Sequence, residues 1–170
     1  MTHGSGLRAC VVACLLGLVV AAPASAQSTF AGVVTRVSDG DTVWVRPDGA
    51  HRKPVKLRLR GIDAPERCQE GGVASTAALS ALVLAQRVEV TARARDGYGR
   101  LVGDMHRERD GVDTGAWMVR NGHAWSGRFH GRPVPYAREE ELARAARRGL
   151  FADADAVAPA QFRKRHGPCG

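Results

Sequence analysis

The stretch from Phe30 to Arg60, FAGVVTRVSDGDTVWVRPDGAHRKPVKLRLR, decides the fold of this chain. Two runs rich in β-branched and aromatic residues flank Ser38-Asp39-Gly40-Asp41, and Asp-Gly is a strong turn signal, so these runs predict an antiparallel hairpin. Pro47-Asp48-Gly49 is a second turn signal. After it, Val55 to Arg60 alternates apolar and basic side chains, as a half-buried strand does. The stretch therefore predicts a three-stranded meander with one strongly basic face.

The chain beyond this meander continues with a helix and two more strands. The residues from Val73 to Gln86 follow a helical period and are rich in alanine. Arg87 to Arg95 alternates like a strand, Asp96-Gly97 is a turn, and Leu101 to Met105 is the expected fifth strand. The meander thus acquires two further strands after a helical connection.

The C-terminal third of the sequence is predicted to be mainly helical. Asp113 or Thr114 can cap a short helix that runs through Val119, and a longer helix is expected from about Ala137 to Arg148. Five strands, a helix between the third and fourth, and two later helices predict an α+β fold that is mainly β. Its expected form is a five-stranded OB-type barrel with about three helices. The tail from Ala152 onward is expected to run irregularly over the surface.

The first 26 residues have the pattern of a secretory signal peptide. Arg8 is followed by an apolar stretch from Ala9 to Ala22, and Ala24-Ser25-Ala26 fits the small-residue cleavage pattern, with the cut expected after Ala26. The apolar run is too short to span a bilayer comfortably, and no later run reaches the length of a membrane helix. Lipidation at Cys14 is the rival interpretation. We expect a soluble protein, secreted or periplasmic, with a domain at 27–151 and a tail at 152–170.

The charge of the chain favours an anionic partner. Its 170 residues carry 25 Lys and Arg against 17 Asp and Glu, for a formal charge of +8 and a pI near 10.2. Arg8 is the single charged residue in the predicted signal peptide, so the basic excess belongs to the remaining domain. Nucleic acid, an acidic polysaccharide and an anionic envelope surface all fit such a charge. The length fits one ordinary domain, which we expect to be a monomer.

Two cysteines, Cys68 and Cys169, remain after the predicted cleavage. In an oxidising compartment an isolated pair is expected to form a disulfide, which would tie the tail to the loop after Glu66. A zinc site is disfavoured because no histidine stands at ligand spacing beside either cysteine.

Three short segments carry chemistry when they are taken together. They are Asp39-Gly40-Asp41-Thr42, the run from Arg58 to Glu66, and Asp96-Gly97-Tyr98-Gly99-Arg100. Each alone is ordinary turn chemistry. Together they supply paired carboxylates for a hard cation, a further carboxylate to activate water, and two guanidinium groups for a phosphate. That combination points to phosphodiester hydrolysis.

The motifs DGDT, LRLRGIDAPE and DGYGR contain an ordered set of residues, Asp41, Arg58, Asp63, Glu66 and Arg100. In this set the chain resembles the staphylococcal-nuclease-like (thermonuclease) family. The resemblance continues through Val119 to Trp125 and through Ala143 to Phe151. It implies an OB barrel with helices and a Ca²⁺-dependent nuclease that hydrolyses DNA and RNA with little sequence specificity.

The resemblance also implies a role for each residue near the metal. Asp41 and Asp63 match the calcium-binding carboxylates, and Ala64 stands where a backbone carbonyl also binds the metal. Asp39 matches an acidic neighbour that does not bind the ion directly, and its alternative is a plain turn residue. Oxygen ligands of this kind suit Ca²⁺.

A second group of residues is implied to act on water and phosphate. Glu66 matches the general base, and Arg58 and Arg100 match the arginines that grip the phosphate. Tyr98 is implied to bind a terminal phosphate or to stack beside the nucleotide, and its alternative is a half-exposed hairpin aromatic.

The chain also departs from the family pattern. Gly97 stands where a basic residue is usual, and Phe129 alone is available where relatives often place base-stacking tyrosines. The run Arg163-Lys164-Arg165-His166 is expected to be solvated and to help, at most, in holding nucleic acid. His123 is expected to pack or cap rather than to catalyse. A catalytically silent OB module that binds nucleic acid and a polysaccharide-binding envelope protein are the alternatives.

Overall fold

The computed structural model describes Met1 and residues 27–49, 51–129, 132–133, 135–167 and 169. The body of the predicted signal peptide, residues 2–26, lies outside the described residues. The signal peptide and the cleavage after Ala26 therefore stay predictions.

Five of the strands close into a barrel. The strands run β1 (Ser28–Asp39), β2 (Thr42–Pro47), β3 (Val55–Leu59), β4 (Ile62–Asp63), β5 (Arg87–Arg95), β6 (Leu101–Arg107), β7 (Val112–Asp113), β8 (Trp125–Ser126), β9 (Arg128–Phe129) and β10 (Arg132–Pro133). The sheet order is β3-β2-β1-β5-β6-β7, and β3 also pairs with β6 in parallel, which closes the sheet on itself. The predicted five-stranded OB-type barrel is confirmed.

The barrel interior is filled by the apolar side chains that alternate along the strands. On β3, Leu57 and Leu59 are buried while Lys56 and Arg58 point to the other face, because successive side chains of a strand lie on opposite sides. Fully buried residues from all five barrel strands form the core together with Leu79 and Val83 of the first helix. The basic outer face of β3 is therefore free to serve a site outside the core.

In the described part of the chain four helices surround the barrel, namely α1 (Gly72–Val83), α2 (Thr114–Arg120), α3 (Ala137–Ala145) and α4 (Pro159–His166), with a 3₁₀ turn at Gly149–Ala152. The cap of α2 is Asp113, whose carboxylate accepts a hydrogen bond from the Ala116 N–H at 3.0 Å. Helix α3 ends earlier than Arg148 because Arg147 adopts a left-handed φ of 49°. None of the helices in the described ranges is long and apolar enough to cross a bilayer.

The prediction of an irregular tail is wrong, because α4 forms within it. Pro159 lies at the start of this helix, where its missing N–H costs no hydrogen bond and its fixed φ suits the first turn. The expected disulfide between Cys68 and Cys169 is present in the structure. A hydrogen bond of 2.6 Å from Gln69 Nε2 to the Val157 carbonyl adds a second link. The tail therefore packs over the loop that precedes α1.

Candidate active site

The turn between β1 and β2 presents two carboxylates at the edge of the barrel. The Asp41 N–H donates to Asp39 Oδ1 at 3.1 Å, and Thr42 Oγ1 donates to Asp41 Oδ1 at 3.0 Å. Between the two aspartates only glycine fits, since a Cβ on Gly40 would lie 1.9 Å from Ser75 Oγ of α1. The turn is thus pressed against α1, and Asp41 is only 7% exposed.

Arg58 is placed next to this turn by strand pairing. In the register of β2 and β3, Arg58 lies opposite Thr42, and the Leu59 N–H donates to the Asp41 carbonyl at 2.8 Å. The Arg58 guanidinium forms an ion pair with Asp41 through Nη1 and donates from Nη2 to Asp63 Oδ1 at 3.3 Å. The structure therefore joins three of the predicted site residues through one guanidinium group.

The charge of Arg58 is firmly held in this environment. Burial by itself would lower the pKa of Arg58, but the Asp41 and Asp63 carboxylates outweigh it and raise that pKa above its ordinary value. Arg58 therefore keeps its positive charge at every physiological pH.

Ala64 and Glu66 follow β4 and bring the next part of the site to the turn. The Ala64 N–H donates to Asp41 Oδ2 at 3.0 Å, which fixes the backbone at this position beside the carboxylate. The Glu66 N–H donates to Gln69 Oε1 at 3.2 Å, and the Glu66 side chain is partly exposed. Asp39, Asp41, Asp63 and Glu66, here named the carboxylate cluster, thus line one side of the barrel.

The carboxylate cluster has the chemistry of a site for a hard divalent cation. Burial, and secondly the neighbouring Asp41 charge, raise the pKa of Asp39 to about 6. Within the described ranges, no three His, Cys, Asp or Glu side chains surround one point as metal ligands. The predicted ligand set needs only two carboxylates and the Ala64 carbonyl. These oxygen donors fit Ca²⁺ or a similar ion.

Arg100 and Tyr98 lie in the turn between β5 and β6, which Asp96 organises. Asp96 accepts hydrogen bonds from the N–H groups of Tyr98 at 2.9 Å and Arg100 at 3.0 Å, and from Arg100 Nε at 2.6 Å. Although desolvation acts to raise it, these hydrogen bonds lower the pKa of Asp96. Tyr98 is 88% exposed, and the Arg100 guanidinium lies 5.4 Å from the centre of its ring.

The closing pair of strands relates this turn to Arg58. In the parallel register of β3 and β6, Arg58 lies beside Val102, and Arg100 comes two residues earlier in the chain. The Arg100 side chain is bonded to Asp96 rather than to the carboxylate cluster. The structure thus places Arg58 on β3 and Arg100 just before the neighbouring strand β6, but leaves the two predicted phosphate-binding arginines in separate ion pairs.

One contact in the site was missed by the sequence interpretation. Arg163 of α4, expected to be solvated, donates from Nη1 to Asp63 Oδ1 at 3.2 Å and to Glu66 Oε1 at 2.9 Å. Its Nη2 donates to Asp63 Oδ2 at 3.1 Å. The predicted disulfide was the available signal, because it brings Cys169 beside Cys68 and hence α4 beside Glu66.

Other sequence expectations concern residues around the site. His123 stacks on Trp117 with ring centres 5.6 Å apart, in keeping with a packing role, and burial lowers its pKa. Phe129 lies in β9, but its side chain is outside the described part of the structure, so its role in base stacking stays a prediction.

The carboxylates and arginines at the edge of this OB-type barrel are the groups that phosphodiester-cleaving enzymes use to hold a cation and a phosphate. The staphylococcal nuclease homologue family model matches residues 56–153. The chain is 36% identical to a micrococcal nuclease of Shigella flexneri over 170 aligned residues, covering 94% of this chain and 93% of that protein. It is 42% identical to an uncharacterized endonuclease of Escherichia coli O157:H7 over 135 residues, covering 79% and 85%. It is 39% identical to protein ParB of Escherichia coli over 161 residues, covering 89% and 88%.

This chain belongs to the staphylococcal nuclease family. It is an endonuclease, and nucleic acids are its substrates. Nucleases of this family depend on a metal ion.

Proposed function

We propose that the protein is a secreted or periplasmic, Ca²⁺-dependent nuclease that hydrolyses DNA and RNA with little sequence specificity and acts as a monomer. The observation that carries the proposal is the shared guanidinium of Arg58, which holds Asp41 and Asp63 together beside the loop of Glu66. Oxygen ligands for a metal ion thus lie next to a positively charged side chain, Arg58, that can bind the phosphate.

Asp41, Asp63 and the Ala64 carbonyl are the proposed holders of the metal ion. When bound, Ca²⁺ would supply positive charge against the anionic phosphate. Asp39 is not one of the proposed metal ligands. Its carboxylate accepts a hydrogen bond from the Asp41 N–H and so orients Asp41. The hydrogen bond from the Ala64 N–H to Asp41 supports the grouping of the two positions.

Glu66 is the proposed general base. Its carboxylate takes a proton from a water molecule as the water oxygen forms a bond to phosphorus. The bond from phosphorus to the 5′ oxygen breaks in line with this attack, that oxygen leaves with a proton from solvent, and a 3′-phosphate remains. Partial exposure of Glu66 leaves it accessible to such a water.

Arg58 and Arg100 are the proposed phosphate ligands. Their planar forks can donate paired hydrogen bonds to the nonbridging oxygens, whose negative charge grows in the transition state. Tyr98 projects from the same turn as Arg100 and is exposed enough to meet a nucleotide. The exposed position of this turn supports a path for the substrate along β3 and β6.

An oxidising location is supported by two independent features. The N-terminal sequence has the signal-peptide pattern, and the disulfide between Cys68 and Cys169 is a bond that persists outside the cytosol. Fractionation of cells and N-terminal sequencing would test both secretion and cleavage after Ala26.

Hydrolysis of single-stranded DNA and of RNA tests the proposed chemistry. Purified protein is assayed with Ca²⁺ and with chelator, beside Glu66→Gln and the control Glu70→Gln, which removes an exposed carboxylate from the same loop. We expect Ca²⁺-dependent cleavage that is lost with chelator and in Glu66→Gln but is kept in Glu70→Gln. Equal cleavage rates in the two variants would contradict the role of Glu66. An unchanged cleavage rate in the presence of chelator would contradict the metal requirement.

A further inference from the structure

The loop that carries Glu66 depends on the C-terminal segment for its position. Residues 64–71 connect β4 to α1 without forming a strand or helix. The described residues between 152 and 169 reach this loop at three points: the disulfide from Cys169 to Cys68, the Val157 carbonyl bonded to Gln69, and Arg163 bonded to Glu66. One link is to Glu66 itself, and the other two are to Cys68 and Gln69, two and three residues after it in the same loop.

The geometry of Arg163 is that of a bridge. A single nitrogen, Nη1, donates to one oxygen of Asp63 and to one oxygen of Glu66. The other nitrogen, Nη2, donates to the second oxygen of Asp63. Asp63 is thereby bound through both oxygens and Glu66 through one. The side chain of Arg163 is 39% exposed, so solvent can reach part of this bridge.

We propose that Arg163 is a positioning residue that fixes the Glu66 carboxylate relative to Asp63, so that the C-terminal segment is a working part of the active site. This inference rests on the proposed roles of Glu66 and Asp63. It adds a third arginine to the site, one that comes from α4 rather than from the barrel.

Elementary physical chemistry gives this contact a purpose. A glutamate side chain has three rotatable bonds, and a general base misplaced by about 1 Å loses roughly 10²-fold in rate. A guanidinium is planar and always charged, so its fork can hold two carboxylates at a fixed separation, whereas an ammonium holds them as a point charge. Neighbouring Asp63, already oriented by Arg58, supplies the fixed end of the bridge.

The proposal makes the activity depend on the disulfide. Helix α4 ends at His166, and Cys169 anchors the chain shortly after it to Cys68, two residues from Glu66. Once the disulfide is reduced, only noncovalent contacts hold α4, and with it Arg163, against the loop of Glu66. We therefore expect turnover to fall when the disulfide is reduced under conditions in which the barrel stays folded.

The central test compares Arg163→Gln with Arg163→Lys and with the control Arg165→Gln. Arg165 is an exposed residue of the same helix, so the control removes the same charge. We expect Arg163→Gln to lower kcat by about 10- to 100-fold with a smaller change in KM, Arg163→Lys to recover part of the loss, and Arg165→Gln to keep the wild-type kcat. Equal kcat in all four proteins would overturn the proposal.

A double-mutant cycle separates action through Glu66 from independent binding of phosphate. Glu66→Asp keeps a carboxylate but withdraws it by one methylene, away from the bridge. In that background we expect Arg163→Gln to cost less than about 3-fold, because coupled residues are not additive. Full additivity would assign Arg163 a role apart from Glu66 and overturn the proposal.

Two further measurements do not depend on turnover. Hydrogen exchange by mass spectrometry, without metal, should show faster exchange in residues 64–71 of Arg163→Gln than of Arg165→Gln. Ca²⁺ titration by calorimetry should show no tighter binding in Arg163→Gln, since tighter binding and faster turnover would mean that Arg163 merely competes with the cation. Wild-type protein without Ca²⁺-dependent cleavage would overturn the proposed function itself, a result distinct from failure of the Arg163 variants.

Discussion

The guanidinium of Arg58 lies between the carboxylates of Asp41 and Asp63, and it contacts both. This position gives Arg58 two duties that a single substitution can separate. One is to balance the charge of two partly buried carboxylates, which any cation can do. The other is to present a planar pair of donors to phosphate, which only a guanidinium can do.

The substitution Arg58→Lys separates these duties. Lysine keeps a positive charge near Asp41 and Asp63, so we expect the variant to stay folded, with a melting temperature close to that of the wild type. It loses the fork that stabilises the transition state, so kcat should fall by about 10²-fold or more. The control is Arg36→Lys on the exposed face of β1, which should be fully active. An unchanged kcat in Arg58→Lys would show that the Arg58 guanidinium does not stabilise the transition state.

A second prediction concerns the exposed ring of Tyr98. If the ring stacks on a nucleotide, Tyr98→Ala should raise KM for an oligonucleotide by about 5- to 100-fold, whereas Tyr98→Phe should change it little. A hydroxyl that binds phosphate would make Phe as damaging as Ala. Steady-state kinetics of the three proteins on one oligonucleotide decide between these roles. Equal KM values for the three proteins would mean that Tyr98 does not bind the oligonucleotide and is only a structural residue of the turn.

The sequence was sufficient to predict the barrel because its strands are marked by local signals. The alternation at Val55 to Leu59 and the Asp-Gly turns before Thr42 and after Arg95 report structure within a few residues. The carboxylates and Arg58 could be predicted for the same reason, since they lie at the ends of those strands. Their roles follow from the family resemblance and stay predictions.

Contacts between distant segments could not be predicted in this way. The helix of the tail has few apolar residues, and it is held by the disulfide and by Arg163, which are tertiary features. A run such as Arg163 to His166 has the composition of a solvated surface, and nothing local distinguishes Arg163 from Arg165. Only the predicted disulfide limited where that run could lie.

A third prediction concerns pH and His123. Burial lowers the pKa of His123 below its ordinary value of 6.5, so the folded state favours the neutral ring. As pH falls through about 6.5, the unfolded chain takes up a proton before the folded one, and the free energy of unfolding should decrease. His123→Phe keeps a ring against Trp117 but cannot titrate, so it should lose this decrease.

The measurement is urea unfolding of both proteins between pH 5 and 7.5. Asp39, with a pKa raised to about 6, acts with the opposite sign, since its folded form loses stability as pH rises towards 6. It is present in both proteins, so the difference between their curves isolates His123. Curves that stay parallel across this range would contradict the prediction.

The last prediction concerns the stability that the Cys68–Cys169 disulfide contributes. The bond closes a loop of 101 residues and so restricts the unfolded chain. The double variant Cys68→Ser/Cys169→Ser should lose about 2–5 kcal/mol of unfolding free energy in urea. The oxidised protein should be about 2 Da lighter than the reduced one by intact mass. Equal masses would show that the thiols are free, whereas a confirmed bond with no loss of unfolding free energy in the double variant would contradict its stabilising role.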